Sequence, residues 1–218
     1  MKNVYIFLDF DGVLHSEKET LRYGEAFEFI YNFELKKLIN KLSNDYLINI
    51  IFTTTWRNNH SLNQLISFID KDINDENVFI AYDKTESIKS DLWSESKGFY
   101  QEENRYLEIK KYITVNNIKS NEYVVIDDRG DIFFNIKLND KNLPVKEYFL
   151  TDENQNILPE PSDLFEKELY NAFIHTNKPK RNDAYINSID IDKALNYLQY
   201  GEAQKNEEVY ISRHRRSN

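Results

Sequence analysis

Near the amino terminus an apolar run, Val4 to Leu8, stops abruptly at Asp9-Phe10-Asp11-Gly12. A run apolar on both faces belongs at the centre of a parallel sheet with helices packed on each side. Residues i and i+2 of an extended chain point the same way, so Asp9 and Asp11 are predicted to converge at the carboxyl end of that strand. This edge is where open α/β sheets bind ligands. Two like charges held close together repel, and a bound cation relieves the repulsion. Carboxylate oxygens are hard ligands that suit magnesium. Gly12 lets the backbone turn away after the pair. Two plainer readings compete, because D-x-D-G also marks turns and opens calcium loops. A calcium loop needs further oxygen-bearing side chains at set positions, whereas Val13, Leu14 and His15 come next. A simple turn is weighed below against the rest of the chain.

Helical and extended periodicities alternate downstream. Leu35, Leu38, Ile39 and Leu42 fall at i, i+3, i+4 and i+7, one apolar stripe of a helix that Ser43-Asn44-Asp45 ends. A second buried strand, Leu47 to Phe52, runs into Thr53-Thr54-Thr55-Trp56-Arg57. Ser61 and Gln64 form a capping-box pattern before a helix with Leu62, Leu65, Ile66 and Ile69 on one side. A third strand is predicted over Val78 to Tyr82, and a helix from about Glu102 to Ile113 turns Tyr106, Ile109 and Ile113 inward. Tyr123 to Ile126 is a fourth strand, delivering Asp127-Asp128-Arg129-Gly130. Ala172 to His175 is a candidate fifth strand, and Ser188 is a candidate cap for a last helix that Gly201 stops. Alternating strands and helices predict an α/β fold, a Rossmann-like three-layer sandwich with a mainly parallel central sheet.

The expected organisation is a single domain over residues 1–200, with an accessory insertion at 137–169 and a basic tail at 201–218. Ser16 to Tyr31 is expected to be a short lobe or loop, and Val145 to Leu150 the strand of the insertion. Trp93 and Phe99 are candidate anchors of a polar stretch, and a short helix is predicted near Asp163 to Leu169. The absence of cysteine removes disulfides and thiolate metal sites, which fits a cytoplasmic protein. Asp9 and Asp11 interrupt the first apolar run too early for a signal peptide or membrane span. A net charge of −9 argues against indiscriminate nucleic-acid binding over the whole surface.

Three strand ends therefore carry polar groups suited to one phosphate site: Asp9 and Asp11, Thr53 to Thr55, and Asp127 and Asp128. A cation held by the carboxylates would supply charge, and a threonine hydroxyl with adjacent backbone N–H groups would supply hydrogen bonds. Arg105, Lys110 and Lys97 are the candidates for a basic partner, with Arg105 preferred. Each residue also has a plainer role: the threonines suit a strand on propensity alone, Arg105 suits an exposed helix face, Asp128 suits a turn, and Trp56 suits a core. His15 and His60 stand singly, without ligand spacing.

Asp9-Phe-Asp-Gly-Val13, Thr53, a basic residue and Val125-Ile-Asp-Asp128, in that order, resemble the four motifs of the haloacid dehalogenase (HAD) superfamily. Thr54-Thr-Trp-Arg57 and Arg105-x-x-Glu108-Ile109 are similar to the small HAD domains linked to RNA-repair systems. The resemblance covers residues 1–135 by motif and more weakly Phe173 to Leu198. It implies a magnesium-dependent phosphatase in which Asp9 is the nucleophile and Asp11 the general acid and base. Thr53 would hold a phosphate oxygen, and Arg105 would neutralise the intermediate. Asp9, Asp11, Asp127 and Asp128 would form the Mg2+ site, with Thr54, Arg57 and Lys110 as substrate-binding candidates. A second acid at Asp11 disfavours carbon–halogen chemistry. Neither gap between motifs houses a full cap, so the fold is expected to be HAD-like with a minimal cap or none. An open site suits bulky substrates such as a nucleic-acid end or a phosphoprotein. The competing readings are a catalytically weak binding module and a small-molecule phosphatase with residues 16–31 or 137–169 as a lid.

Overall fold

The computed structural model describes residues 1–15, 32–73, 78–87, 105–128, 168–169, 171–176 and 185–201. Strands β1 (Lys2–Leu8), β2 (Tyr46–Phe52), β3 (Ile80–Lys84), β4 (Tyr123–Asp127) and β5 (Phe173–His175) form one sheet in the order β3-β2-β1-β4-β5. Every pairing in it is parallel. Helices α1 (Asn32–Leu42), α2 (Leu62–Ile73), α3 (Arg105–Val115) and α4 (Ser188–Tyr200) flank the sheet. The α/β Rossmann-like arrangement expected from the alternating pattern is the one observed. The expectations for residues 16–31, for Trp93, Lys97 and Phe99, for the insertion up to residue 167 and for the tail beyond 201 lie outside the described residues, as does the side chain of Tyr106.

Right-handed crossovers dictate the layers. The chain steps from β1 through α1 to β2 and on through α2 to β3, which puts both helices on one face. It then steps back through α3 to β4, so α3 covers the opposite face. Phe7 accordingly meets Tyr112 of α3 edge to face at 5.6 Å. Helix α4 joins the α1 side, where Lys41 Nζ lies 3.3 Å from Asp192 Oδ1. The α1 stripe of Leu35, Leu38, Ile39 and Leu42 is wholly buried, as are Val4, Ile6, Phe7 and Leu8 of β1. Burial of each such side chain contributes about 1.5–3 kcal/mol, so these two elements are firmly anchored in the core.

Local signals account for several helix ends. The Ser61–Gln64 capping box forms as expected, with Ser61 N donating to Gln64 Oε1 at 2.9 Å and Gln64 N to Ser61 Oγ at 3.4 Å. Gly201 ends α4 in the left-handed region, φ 65°. Strand limits move by a residue at β2, β4 and β5, and two further boundaries differ from expectation. The cap of α4 is Asn187 and not Ser188: its side chain accepts from Ile189 N and Asp190 N, while Asp190 accepts from Asn187 N. Ser188 lacks an acidic or amide residue three positions on and instead begins the helix. The third strand is shifted to Ile80–Lys84, because pairing with β2 runs from Ile48↔Ile80 to Phe52↔Lys84 and leaves Val78 and Phe79 beyond the ladder.

The register of the three central strands is what assembles the site. Leu8 is level with both Phe52 of β2 and Ile126 of β4. The next residues, Asp9, Thr53 and Asp127, therefore emerge side by side at one sheet edge, roughly 4.8 Å apart from strand to strand. Connections leave β1 toward β3 and later return toward β5, so Asp9 and Asp127 flank the topological switch point where doubly wound sheets bind ligands.

Candidate active site

Backbone bonds lock the three strand ends together: Thr53 N donates to Leu8 O at 2.9 Å and Asp9 N to Ile126 O at 3.1 Å. Asp9 and Phe7 alternate with Leu8, so the Asp9 side chain faces the α3 layer. Arg105, the first residue of α3, reaches in from that layer. Its Nη1 donates to Asp9 Oδ2 at 2.8 Å and to Asp127 Oδ2 at 2.6 Å. Burial opposes the charge on Arg105, but the Asp127 and Asp9 carboxylates outweigh it and hold the guanidinium well above its ordinary pKa. Arg105 is therefore a permanent cation at the floor of the site.

Asp9, Asp127 and Asp128 each offer a carboxylate oxygen, and these oxygens lie within 4.8 Å of one another. All three residues are buried, at 2%, 0% and 5% exposure. Buried carboxylates this close repel one another, and Arg105 supplies part of the positive charge that offsets the repulsion. Asp9 Oδ1 is buried with no hydrogen-bond partner among the described residues. The hard, clustered, partly unsatisfied oxygen set fits a small divalent cation such as magnesium. Asp11 does not join this cluster. Its Oδ2 accepts from Trp56 Nε1 at 3.1 Å, and its Oδ1 lies 2.9 Å from His15 Nε2.

Gly12 is required twice over. Its φ of +69° lies in the left-handed region, and a methyl group there would fall 2.5 Å from Asp128 Oδ2 and 2.7 Å from Asp128 Cβ. The loop it belongs to is buttressed by the far end of the chain. Thr176 Oγ1 donates to Gly12 O at 2.7 Å, and Ile186 N donates to Val13 O at 3.0 Å.

The segment after β2 divides the roles of its threonines. Thr53 is fully buried, and its Oγ1 has no hydrogen-bond partner among the described residues. Thr54 Oγ1 is occupied, accepting from Trp56 N at 3.4 Å as the cap of a 3-10 turn, Thr55–Asn58. Arg57 in that turn is buried, at 3% exposure. Its Nη2 sits 2.5 Å from Glu108 Oε2, and its Nη1 donates to Thr53 O and, at 2.6 Å, to Thr54 O. The two side chains of this pair are 1% and 0% exposed. Lys110 lies five residues beyond Arg105 on α3, about 140° further around the helix, so it does not share the face that meets Asp9.

A family model described as "HAD domain in Swiss Army Knife RNA repair proteins" matches residues 5–155. The chain belongs to this family. No curated protein and no solved structure matches the chain. The span matched in this HAD domain contains Asp9, Asp11, Thr53, Arg105, Asp127 and Asp128, while β5 and α4 lie beyond it. Among the described residues no helix is long and apolar enough to cross a membrane.

Sequence reasoning gave no role to four contributors to the HAD site. Glu108, Thr176 and Lys84 hold loops: Lys84 Nζ donates to Arg57 O at 3.0 Å and His60 O at 3.3 Å. His15 stands against Asp11. The i, i+3 spacing of Arg105 and Glu108 on one helix face was the available signal for Glu108. Nothing local marks Thr176, whose partner lies 164 positions away.

Proposed function

We propose that this HAD domain is a Mg2+-dependent phosphohydrolase that works through an aspartyl-phosphate on Asp9, with a nucleotide or polynucleotide phosphate as substrate. The observation that carries the reading is the gathering of Asp9, Asp127, Asp128, Thr53 and Arg105 at one switch point. In the first step Asp9 Oδ1 attacks phosphorus, forming a P–O bond as the bond to the leaving oxygen breaks. Asp11 gives its proton to that leaving oxygen. In the second step Asp11 takes a proton from water as the water oxygen attacks phosphorus, and the bond to Asp9 breaks to regenerate the carboxylate. Arg105 balances charge on Asp9 throughout, and Thr53 Oγ1 donates to a phosphate oxygen. Asp9, Asp127 and Asp128 would hold Mg2+, which when bound neutralises phosphate charge and the mutual repulsion of the carboxylates.

The test is hydrolysis of p-nitrophenyl phosphate with and without Mg2+, beside Asp9→Asn. The expected result is Mg2+-dependent turnover that EDTA removes and that Asp9→Asn abolishes. Equal background rates in wild type and variant would overturn the enzyme assignment. Oligonucleotides bearing 3′- or 5′-phosphates, mononucleotides and phosphopeptides, compared by kcat/KM, then test the substrate class. The expected order puts the nucleic-acid ends first, and a preference for phosphopeptides would refute that part.

A further inference from the structure

The carboxyl of Asp11 differs from the other acidic groups of the site in being open. Its side chain is 40% exposed, whereas those of Asp9 and Asp127 are 3% and 0% exposed. Exposure lets a substrate reach it, but an exposed carboxylate samples many orientations unless something holds it. Trp56 holds it. The indole Nε1–H donates to Asp11 Oδ2 at 3.1 Å. The indole is itself confined, with Phe10 at 5.7 Å and Phe68 at 5.5 Å edge to face and His60 stacked at 5.8 Å. Its backbone is pinned by the Thr54 cap and by Asn59 N and His60 N donating to Trp56 O.

Both Asp11 carboxyl oxygens have a neighbour. An indole N–H only donates, so the oxygen it contacts must accept. The other oxygen, Oδ1, lies 2.9 Å from His15 Nε2, so the carboxyl is held from both sides. We infer that Trp56 is a positioning residue for leaving-group protonation: by donating to Oδ2, with His15 beside Oδ1, it fixes the plane of the Asp11 carboxyl against the substrate. The inference rests on the general-acid role of Asp11 proposed above. The chemistry it serves is proton transfer from the Asp11 carboxyl to the bridging oxygen as the P–O bond breaks.

The test compares kcat/KM for p-nitrophenyl phosphate, whose leaving group needs little protonation, with that for an alkyl phosphate, whose leaving group needs it fully. kcat/KM reports the steps up to the first departure, which isolates this proton transfer. Trp56→Phe is expected to lose about tenfold or more on the alkyl ester, less than about threefold on the nitrophenyl ester. Asp11→Asn is expected to show the same selectivity more strongly. Replacement of Trp56 by β-(3-benzothienyl)alanine keeps the bicyclic ring without the N–H, so it separates the hydrogen bond from packing and should reproduce the Trp56→Phe selectivity. If Asp11→Asn is selective but both Trp56 variants affect the two esters equally, or neither, the inference falls and the proposed function stands. If Asp11→Asn is itself unselective, the general-acid role fails and the inference falls with it.

Discussion

Replacing Arg57 by Met removes the cation from a buried pair and tests what ties the Thr53 loop to α3. The variant leaves Glu108, 2% exposed, without the guanidinium 2.5 Å away, and takes a donor from the Thr53 and Thr54 carbonyls. Breaking a buried ion pair from one side costs about 3–5 kcal/mol. Glu108→Leu should be milder, at about 2–3 kcal/mol, because Arg57 keeps its two carbonyl acceptors. The double variant removes both charges. Thr54 O still receives Arg57 N at 3.2 Å, so its stability should fall within about 1–2 kcal/mol of the parent. Urea unfolding measures all four proteins. With a slope of about 2–3 kcal/mol/M, the midpoint of Arg57→Met should drop by about 1–2 M, and the cycle should show a coupling above about 2 kcal/mol. Single variants that each cost under about 1 kcal/mol and add independently would refute the reasoning. The double variant then isolates function from stability. Thr53 and Arg105 would no longer be linked through Arg57 and Glu108, so activity should fall by at least about tenfold although the fold persists.

Two further outcomes follow from the geometry. Gly12→Ala must displace Asp128 and bear a left-handed backbone; it should destabilise the apo protein by about 1–2 kcal/mol and weaken Mg2+ affinity, read by thermal shift against metal concentration. An unchanged Mg2+ response would place Asp128 outside the metal site. Burial and the neighbouring Asp70 push the Tyr82 hydroxyl above its usual pKa of 10.0, and burial with a hydrogen bond to Asp83 does the same to Tyr112. The folded chain thus keeps these protons more tightly than the unfolded chain. The stability they contribute is complete below about pH 10 and is lost as pH rises toward the folded pKa values. Tyr82→Phe/Tyr112→Phe should therefore lose less stability than wild type between pH 10 and 11, and parallel losses in both would contradict the assignment.

How much of this was readable in the residues depends on the range of the interaction. The α1 stripe, the Ser61–Gln64 cap and the Gly201 stop were legible because each is set by neighbours within a turn or two. The gathering of Asp9, Thr53 and Asp127 was also legible, since parallel strands that end in polar residues must present them at a common edge. Asp11 lies outside the Asp9, Asp127 and Asp128 group, because β1 ends at Leu8 and the chain turns at Gly12, and it meets Trp56 and His15. The burial of Arg57 was illegible for a different reason. An arginine after a strand-end threonine run suits substrate contact by type, and the approach of Glu108, 51 positions on, together with the Thr53 and Thr54 carbonyls holds it inward.

The buttress beneath Gly12 ties the beginning of the chain to its later portion. Val13 and Gly12 lean on Ile186 and Thr176, yet Asp9, Thr53, Arg105, Asp127 and Asp128 have all been synthesised long before those residues emerge. A ribosome would therefore release every reactive group of the cluster into a nascent chain whose first turn still lacks its support. Competence should arrive late and all at once, when β5 docks beside β4.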